Sequence, residues 1–121
     1  MGRYGEKKMI ETKLGKIKRI KFGYVGYQDM QFGLYIELGS NDGWGVDTTI
    51  SNAWSLDMEV GEYTKWTEAD RDAGFAKTMR EINRVMKEAD VTDINKLVGI
   101  PVQITFEDNT LKDWRVLTEV L

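Results

Sequence analysis

Phe32-Gly-Leu-Tyr-Ile-Glu-Leu-Gly-Ser-Asn-Asp-Gly-Trp-Gly-Val-Asp-Thr-Thr-Ile50 is the stretch whose pattern decides the fold. Phe32, Leu34, Ile36 and Leu38 alternate with Gly33, Tyr35 and Glu37. Trp44, Val46, Thr48 and Ile50 then alternate with Gly45, Asp47 and Thr49. A period of two marks half-buried strands. Both apolar sets sit at even positions, so facing residues must have numbers with an even sum, and that demands an odd loop. Asn41-Asp42-Gly43 fits a three-residue hairpin with Gly43 left-handed. Ser40 then faces Trp44, Leu38 faces Val46 and Ile36 faces Thr48. A two-residue turn would put Leu38 on the wrong face.

Upstream, the same period runs from Lys16. Ile20, Phe22 and Tyr24 share one face, while Arg19, Lys21 and Gly23 share the other. Residues 1–14 are polar, carry two glycines and show no period, so they read as a loose basic arm ahead of a single domain over 15–121. Downstream, residues 51–66 read as a long connection holding Trp54, Tyr63 and Trp66. Thr67-Glu-Ala-Asp70 makes a capping box with Asp in place of the usual Glu. Behind it Phe75, Met79, Ile82, Met86 and Ala89 step by four and three, a helical stripe expected to be core. Gly99 breaks the chain, and Pro101 opens a strand in which Val102, Ile104 and Phe106 alternate. After the turn Glu107-Asp108-Asn109, a last strand is expected over Leu111–Leu121. Its register is open, because Leu111 and Leu117 are odd while Trp114, Val116 and Val120 are even; a bulge or two buried faces would reconcile them. The order βββαββ implies an α+β fold, with a mainly antiparallel five-stranded sheet and one long helix on its apolar face.

The 121 residues include 17 Lys+Arg, 20 Asp+Glu, no His and no Cys. Without cysteine there are no disulfides, thiolate nucleophiles or Cys metal sites. Without histidine the Ser-His-Asp triad and almost every zinc site are excluded. The net charge of −3 hides an asymmetry: residues 1–21 carry eight bases and two acids, whereas residues 22–66 carry only Lys65 against seven acids. The basic arm is the one electrostatic hint of nucleic acid, and without a second basic patch such binding is not expected. No window approaches the roughly 20 apolar residues of a membrane span. The N-terminus has no apolar signal region, and Met1-Gly2 lacks the Ser or Thr at position six that myristoylation wants, so a cytoplasmic location is expected.

Three features carry possible chemistry. Gly23, Gly33 and Gly45 share the non-core parity and could floor a trough rimmed by Arg19, Lys21, Tyr35, Glu37 and Asp47, or simply permit twist. Tyr24, Tyr27, Gln28 and Asp29 combine ring faces with amide and carboxylate groups, the kit of a base or ribose pocket, though a tight loop of packed tyrosines would look the same. Trp54 and Trp66 serve equally as loop anchors or stacking groups, and aromatic anchors also dominate protein–protein hot spots. Asp29, Glu37, Asp42 and Asp47 supply oxygen ligands, but no spacing among them is diagnostic of a metal site. No metal, cofactor or catalytic role is implied.

The runs KFGYVGYQDMQFGLYIEL, GWGV, YTKWTEADR and KLVGIPVQITFEDNTLKDWRVLTEVL resemble a family of small bacteriophage and prophage hypothetical proteins, from about Lys16 to the C-terminus. The resemblance brings no activity and no functional residues. It implies a short accessory phage protein made in the bacterial host cytoplasm, a class that often counters host defence. Two non-enzymatic readings follow. In the first the chain is a homo-oligomeric sponge for a cyclic nucleotide or ADP-ribose-type signal. Its base would stack on Tyr27, Trp54 or Trp66, its phosphate would pair with Lys65, Arg71 or Arg115, and Tyr24, Gln28, Asp29 and Tyr35 would complete the pocket. In the second the chain is an inhibitor whose acidic surface (Asp42, Asp47, Asp57, Glu59, Glu62) occupies a basic groove on a host defence protein or nuclease.

Overall fold

A computed structural model of the chain describes residues 8–40 and 42–121. Residues 1–7 of the expected arm, Asn41 of the expected hairpin loop and the side chains of Thr49, Ile50 and Ser51 lie outside the described residues. The fold is α+β. Strands β1 (Ile10–Val25), β2 (Gln31–Gly39), β3 (Gly45–Trp54), β4 (Pro101–Glu107) and β5 (Thr110–Val116) form one antiparallel sheet in the order β3-β2-β1-β4-β5. Helix α1 (Glu68–Ala89) lies between β3 and β4 in the chain.

β1 belongs to both halves of that sheet. Its first part pairs with β4, from Ile10 opposite Glu107 to Lys16 opposite Pro101, and its second part with β2, from Lys16 opposite Gly39 to Val25 opposite Gln31. The change of partner is marked by a bulge at Lys18. Gly15 makes the crossing possible, since a Cβ there would stand 2.5 Å from the Gly39 carbonyl oxygen. The loose arm read over residues 1–14 is therefore too long, because Ile10–Leu14 are already strand. Hydropathy hides them for a specific reason. Lys13, opposite buried Ile104, covers the core-side position with its aliphatic stem, its ammonium 5.2 Å from the Trp44 ring centroid and 5.8 Å from that of Phe106.

In the hairpin, Leu38 lies opposite Val46 and Ile36 opposite Thr48. The Ser40 N–H donates to the Trp44 carbonyl (3.2 Å), and Gly43 has φ 96°. β3 runs on to Trp54, four residues past the expected end, because a bulge at residue 50 resets the ladder to Leu34 opposite Ser51 and Phe32 opposite Ala53. A bulge also resolves the last strand: Phe106 faces Leu111 and Thr105 faces Asp113, so Lys112 is the extra residue. That strand stops at Val116, and a short 3₁₀ turn over Thr118–Val120 replaces its expected continuation.

α1 opens with the capping box. The Asp70 N–H donates to Thr67 Oγ1 (3.1 Å) and the Thr67 N–H to Asp70 Oδ2 (2.8 Å). Its buried positions are Arg71, Thr78, Ile82, Val85 and Ala89, a face rotated from the apolar stripe in the sequence. The cause is a close approach to β3, where a Cβ on Gly74 would lie 2.8 Å from the Ala53 Cβ. Ile82, Val85 and Ala89 join Ile17, Leu34, Ile36, Leu38, Leu97, Val102, Ile104 and Val116 in the core. Phe75 is half-buried, and Met79 is 60% exposed.

Candidate functional site

Because α1 leans on β3, the core-side face of the sheet is left partly open at the far end of β1. A cleft of about 290 Å³ lies there, lined by Phe22 and Tyr24 of β1, Phe32 of β2, Phe75, Thr78 and Met79 of α1, and Leu56 from the connection after β3. Phe32 is its centre: the rings of Phe22 (5.4 Å), Tyr24 (5.5 Å) and Phe75 (6.4 Å) all meet it edge to face. Large apolar side chains remain in contact with water, with Phe22 and Tyr24 each 48% exposed and Leu56 76%. The Thr78 hydroxyl turns back on its own helix and donates to the Gly74 carbonyl (2.9 Å).

Tyr24 is shared with a second, more polar depression of about 470 Å³, lined also by Gln28, Asp29, Met30, Ser55, Asp57 and Met58. Gly26 (φ 81°), Gln28 (φ 54°) and Asp29 (φ 56°) are all left-handed, which turns the β1–β2 loop tightly enough to bring Asp29 beside the Ser55–Met58 segment. One backbone bond, from the Ser55 N–H to the Met30 carbonyl (3.0 Å), joins the two loops.

The Ser55–Met58 segment is fixed from below by a buried cation. Arg71, 3% exposed, donates through Nη1 to the Ser55 carbonyl (2.8 Å) and through Nη2 to the Met58 carbonyl. Its Nε lies 3.1 Å from Glu68 Oε1 without an aligned hydrogen bond. The guanidinium stands 4.8 Å from the Trp66 ring, which stacks on Trp54 at 5.4 Å and 11°. Trp54, Trp66 and Arg71 thus form a clamp on both ends of the 55–66 connection: Trp66 meets both Trp54 and the Arg71 guanidinium, and the Arg71 donors go to the Ser55 and Met58 carbonyls.

The residues singled out in the sequence are scattered accordingly. Tyr24, Gln28 and Asp29 come together in the polar depression; Tyr27 stands exposed beside them, its hydroxyl accepting from Gln28 Nε2 (3.4 Å). Lys65 is exposed within the acidic connection. Arg115 is on β5, donating to Glu119 (2.8 and 3.0 Å) and Gln103 (2.8 Å), and this pairing holds the Glu119 carboxyl down to about 2. Tyr35 is on the other face of the sheet, its hydroxyl raised above the usual value chiefly by hydrogen bonding to Asp47, with Arg19 over its ring at 5.7 Å. Of the glycine trough, Gly23 and Gly33 do face each other, but Gly45 lies opposite Gly39 at the other end of β2. The acidic residues divide too: Asp42 and Asp47 are at the hairpin end of β3, and Asp57, Glu59 and Glu62 follow its other end, a strand length of roughly 30 Å away.

Phe22, Phe32, Leu56, Phe75 and Met79 were not site candidates in the sequence. Their even parity and helical spacing are what core residues show, and Leu56 is a lone apolar residue in a polar connection. Among the described residues no group of three or more His, Cys, Asp or Glu is placed to hold a metal ion, and no helix is long and apolar enough to cross a membrane. No family model, curated protein or solved structure matches the chain.

Proposed function

We propose that the chain is a non-enzymatic binding protein whose partner is another protein, held through the open apolar cleft and the acidic connection beside it. The observation that carries this is that no Lys or Arg lines the aromatic cleft. An anionic nucleotide seated there would need one, yet Arg71 is buried under the loop it fastens and Arg115 is paired with Glu119 on β5. Lys65 stands exposed in the acidic connection, and Arg19 and Lys21 line a separate depression with Tyr35 on the other face of the sheet. The charged groups in the adjoining depression, which shares Tyr24 with the cleft, are Asp29 and Asp57. Exposed aromatic and aliphatic side chains around a shallow cleft, rimmed by polar groups, are the usual anatomy of a protein-binding surface. In the phage setting that the sequence resemblance implies, the partner is a host defence protein or nuclease, and binding blocks its working surface.

A thermal-shift screen against cyclic di- and trinucleotides and cyclic ADP-ribose isomers tests this reading. A ligand at 100 times its Kd adds about 2.7 kcal/mol, a shift of several degrees for a domain of this size. The screen is expected to be flat. A clear shift with any of these compounds would restore the nucleotide sponge and remove the protein-binding reading.

A further inference from the structure

We infer that the cleft receives a cationic amphipathic segment of the partner, with one large apolar side chain seated among Phe22, Leu56 and Met79 and a Lys or Arg beside it meeting Asp57 and Asp29. This rests on the protein-binding reading above and specifies its chemistry.

Size and lining choose the anchor. At about 290 Å³ the cleft is at the lower end of the roughly 300–1,000 Å³ that small-molecule sites occupy, and its walls are almost wholly apolar, which suits one or two side chains rather than a complete polar ligand. Continuity chooses what lies next to the anchor. Leu56 and Asp57 are consecutive, about 3.8 Å apart at Cα, and Tyr24 lines both depressions. A segment crossing Tyr24 therefore passes from the apolar wall into the depression that Asp57 lines.

Charge chooses the sign. Neither Asp57 nor Asp29 has an ion-pair partner among the described residues. Asp29 also borders the depression that holds Arg19 and Lys21, so Asp57 carries the larger share. Glu59 and Glu62 continue the negative potential along the connection, and Arg71 beneath it is buried and committed to backbone carbonyls. The exposed Lys77 and Arg80 flank Thr78 and Met79 on the helix side, so the cation of the segment is directed to the loop side. The clamp fixes Leu56 and Asp57 before binding, which lowers the ordering cost of association. A helix laid in a groove, read by its apolar face and flanked by its charges, is the recognition mode that such a site fits.

The test uses three synthetic amphipathic helical peptides on the full chain. One has leucines and a single tryptophan on one face and lysines on the other; the second carries glutamates in place of the lysines; the third has alanine in place of the tryptophan. Affinity is measured by anisotropy, and the site is mapped by amide chemical shifts. The lysine peptide is expected to bind and to move the amides of Phe22, Tyr24, Phe32, Leu56, Phe75 and Met79 together with those of Asp29 and Asp57. Asp57→Asn combined with Asp29→Asn should weaken it roughly fivefold and flatten its salt dependence. Met79→Glu should abolish binding, with the exposed Leu56→Ser as a second variant should the first perturb the helix. Equal binding of the glutamate peptide would overturn the charge assignment; shifts outside the cleft, or none, would overturn the site. A nucleotide-induced thermal shift removes the underlying protein-binding reading whatever the peptides do. A flat nucleotide screen with failed peptides removes this inference alone.

Discussion

Ile82 and Met79 sit less than one turn apart on α1, yet Ile82 is 8% exposed and Met79 is 60%. The two ends of the apolar face differ in the same way. Toward β4 it is closed by Ile104, Val102, Val116, Leu97 and the second half of the helix. Toward the end of β1 it is open, with Phe22, Tyr24, Leu56 and Met79 in water. Nothing in the hydropathy of the residues separates the two ends. What separates them is where the helix lands: Gly74 brings it onto Ala53 of β3, and the rings beyond that contact are left without a roof. An uncovered apolar surface next to a clamped acidic loop is therefore a product of helix placement.

The largest effect belongs to the closed end. Ile104→Ala should cost about 3–4 kcal/mol by denaturant unfolding, because it removes a fully buried side chain and leaves a cavity, whereas Phe22→Ala should cost about 1 kcal/mol or less. Equal costs would erase the distinction between the ends. Next comes the clamp. Arg71→Met should cost about 2 kcal/mol by stranding the Met58 carbonyl and taking one of two donors from the Ser55 carbonyl, and hydrogen exchange should quicken at the Met58 amide, which is bonded to the Ser55 carbonyl. Unchanged exchange there would mean that the loop holds itself.

Gly74→Ala sharpens the account of helix placement. Alanine normally favours an exposed helix interior by about 1 kcal/mol, but a Cβ only 2.8 Å from that of Ala53 should reverse the sign, for a net loss of about 1 kcal/mol. A stabilised variant would show that the helix can stand away from β3. The smallest effect is remote from both ends. The Glu119 carboxyl is held near 2, below its usual 4.5, chiefly by hydrogen bonding to Arg115. A depressed carboxylate contributes stability that is complete above its unfolded value of 4.5 and is lost as pH falls toward 2. Arg115→Gln should therefore raise the Glu119 midpoint toward 4.5 in an NMR titration and leave peptide binding in the cleft untouched.

Much of the fold can be read from the residues, and the reasons for the rest are local. The even parity of Leu38 and Val46 required an odd loop, and the Thr67–Asp70 pair marked the start of the helix. The first five residues of β1 escaped because Lys13 uses its stem where an apolar side chain would have announced a strand. β3 was misjudged where a bulge at residue 50 resets a period of two. The bulge at residue 112 is one of the two solutions that the parity of the last strand left open, and what was missed there is that the strand ends at Val116. The site was less legible than the fold. Tyr24, Gln28 and Asp29 were visible as a polar-aromatic loop, but Phe75 and Met79 looked like core because helical spacing reports which side is apolar and not whether that side is covered. Arg71 looked like a free cation for a related reason, since its partners are backbone carbonyls of a loop 13 and 16 residues away.

The contrast between the ends is tested most directly by measuring Met79→Ala and Ile82→Ala side by side in denaturant unfolding. A helix that is core at one residue and open surface at the other predicts a loss of about 3 kcal/mol for Ile82→Ala and less than about 0.5 kcal/mol for Met79→Ala. Comparable losses at the two positions would show that the cleft is closed in solution, and the open end would have no surface left to offer a partner.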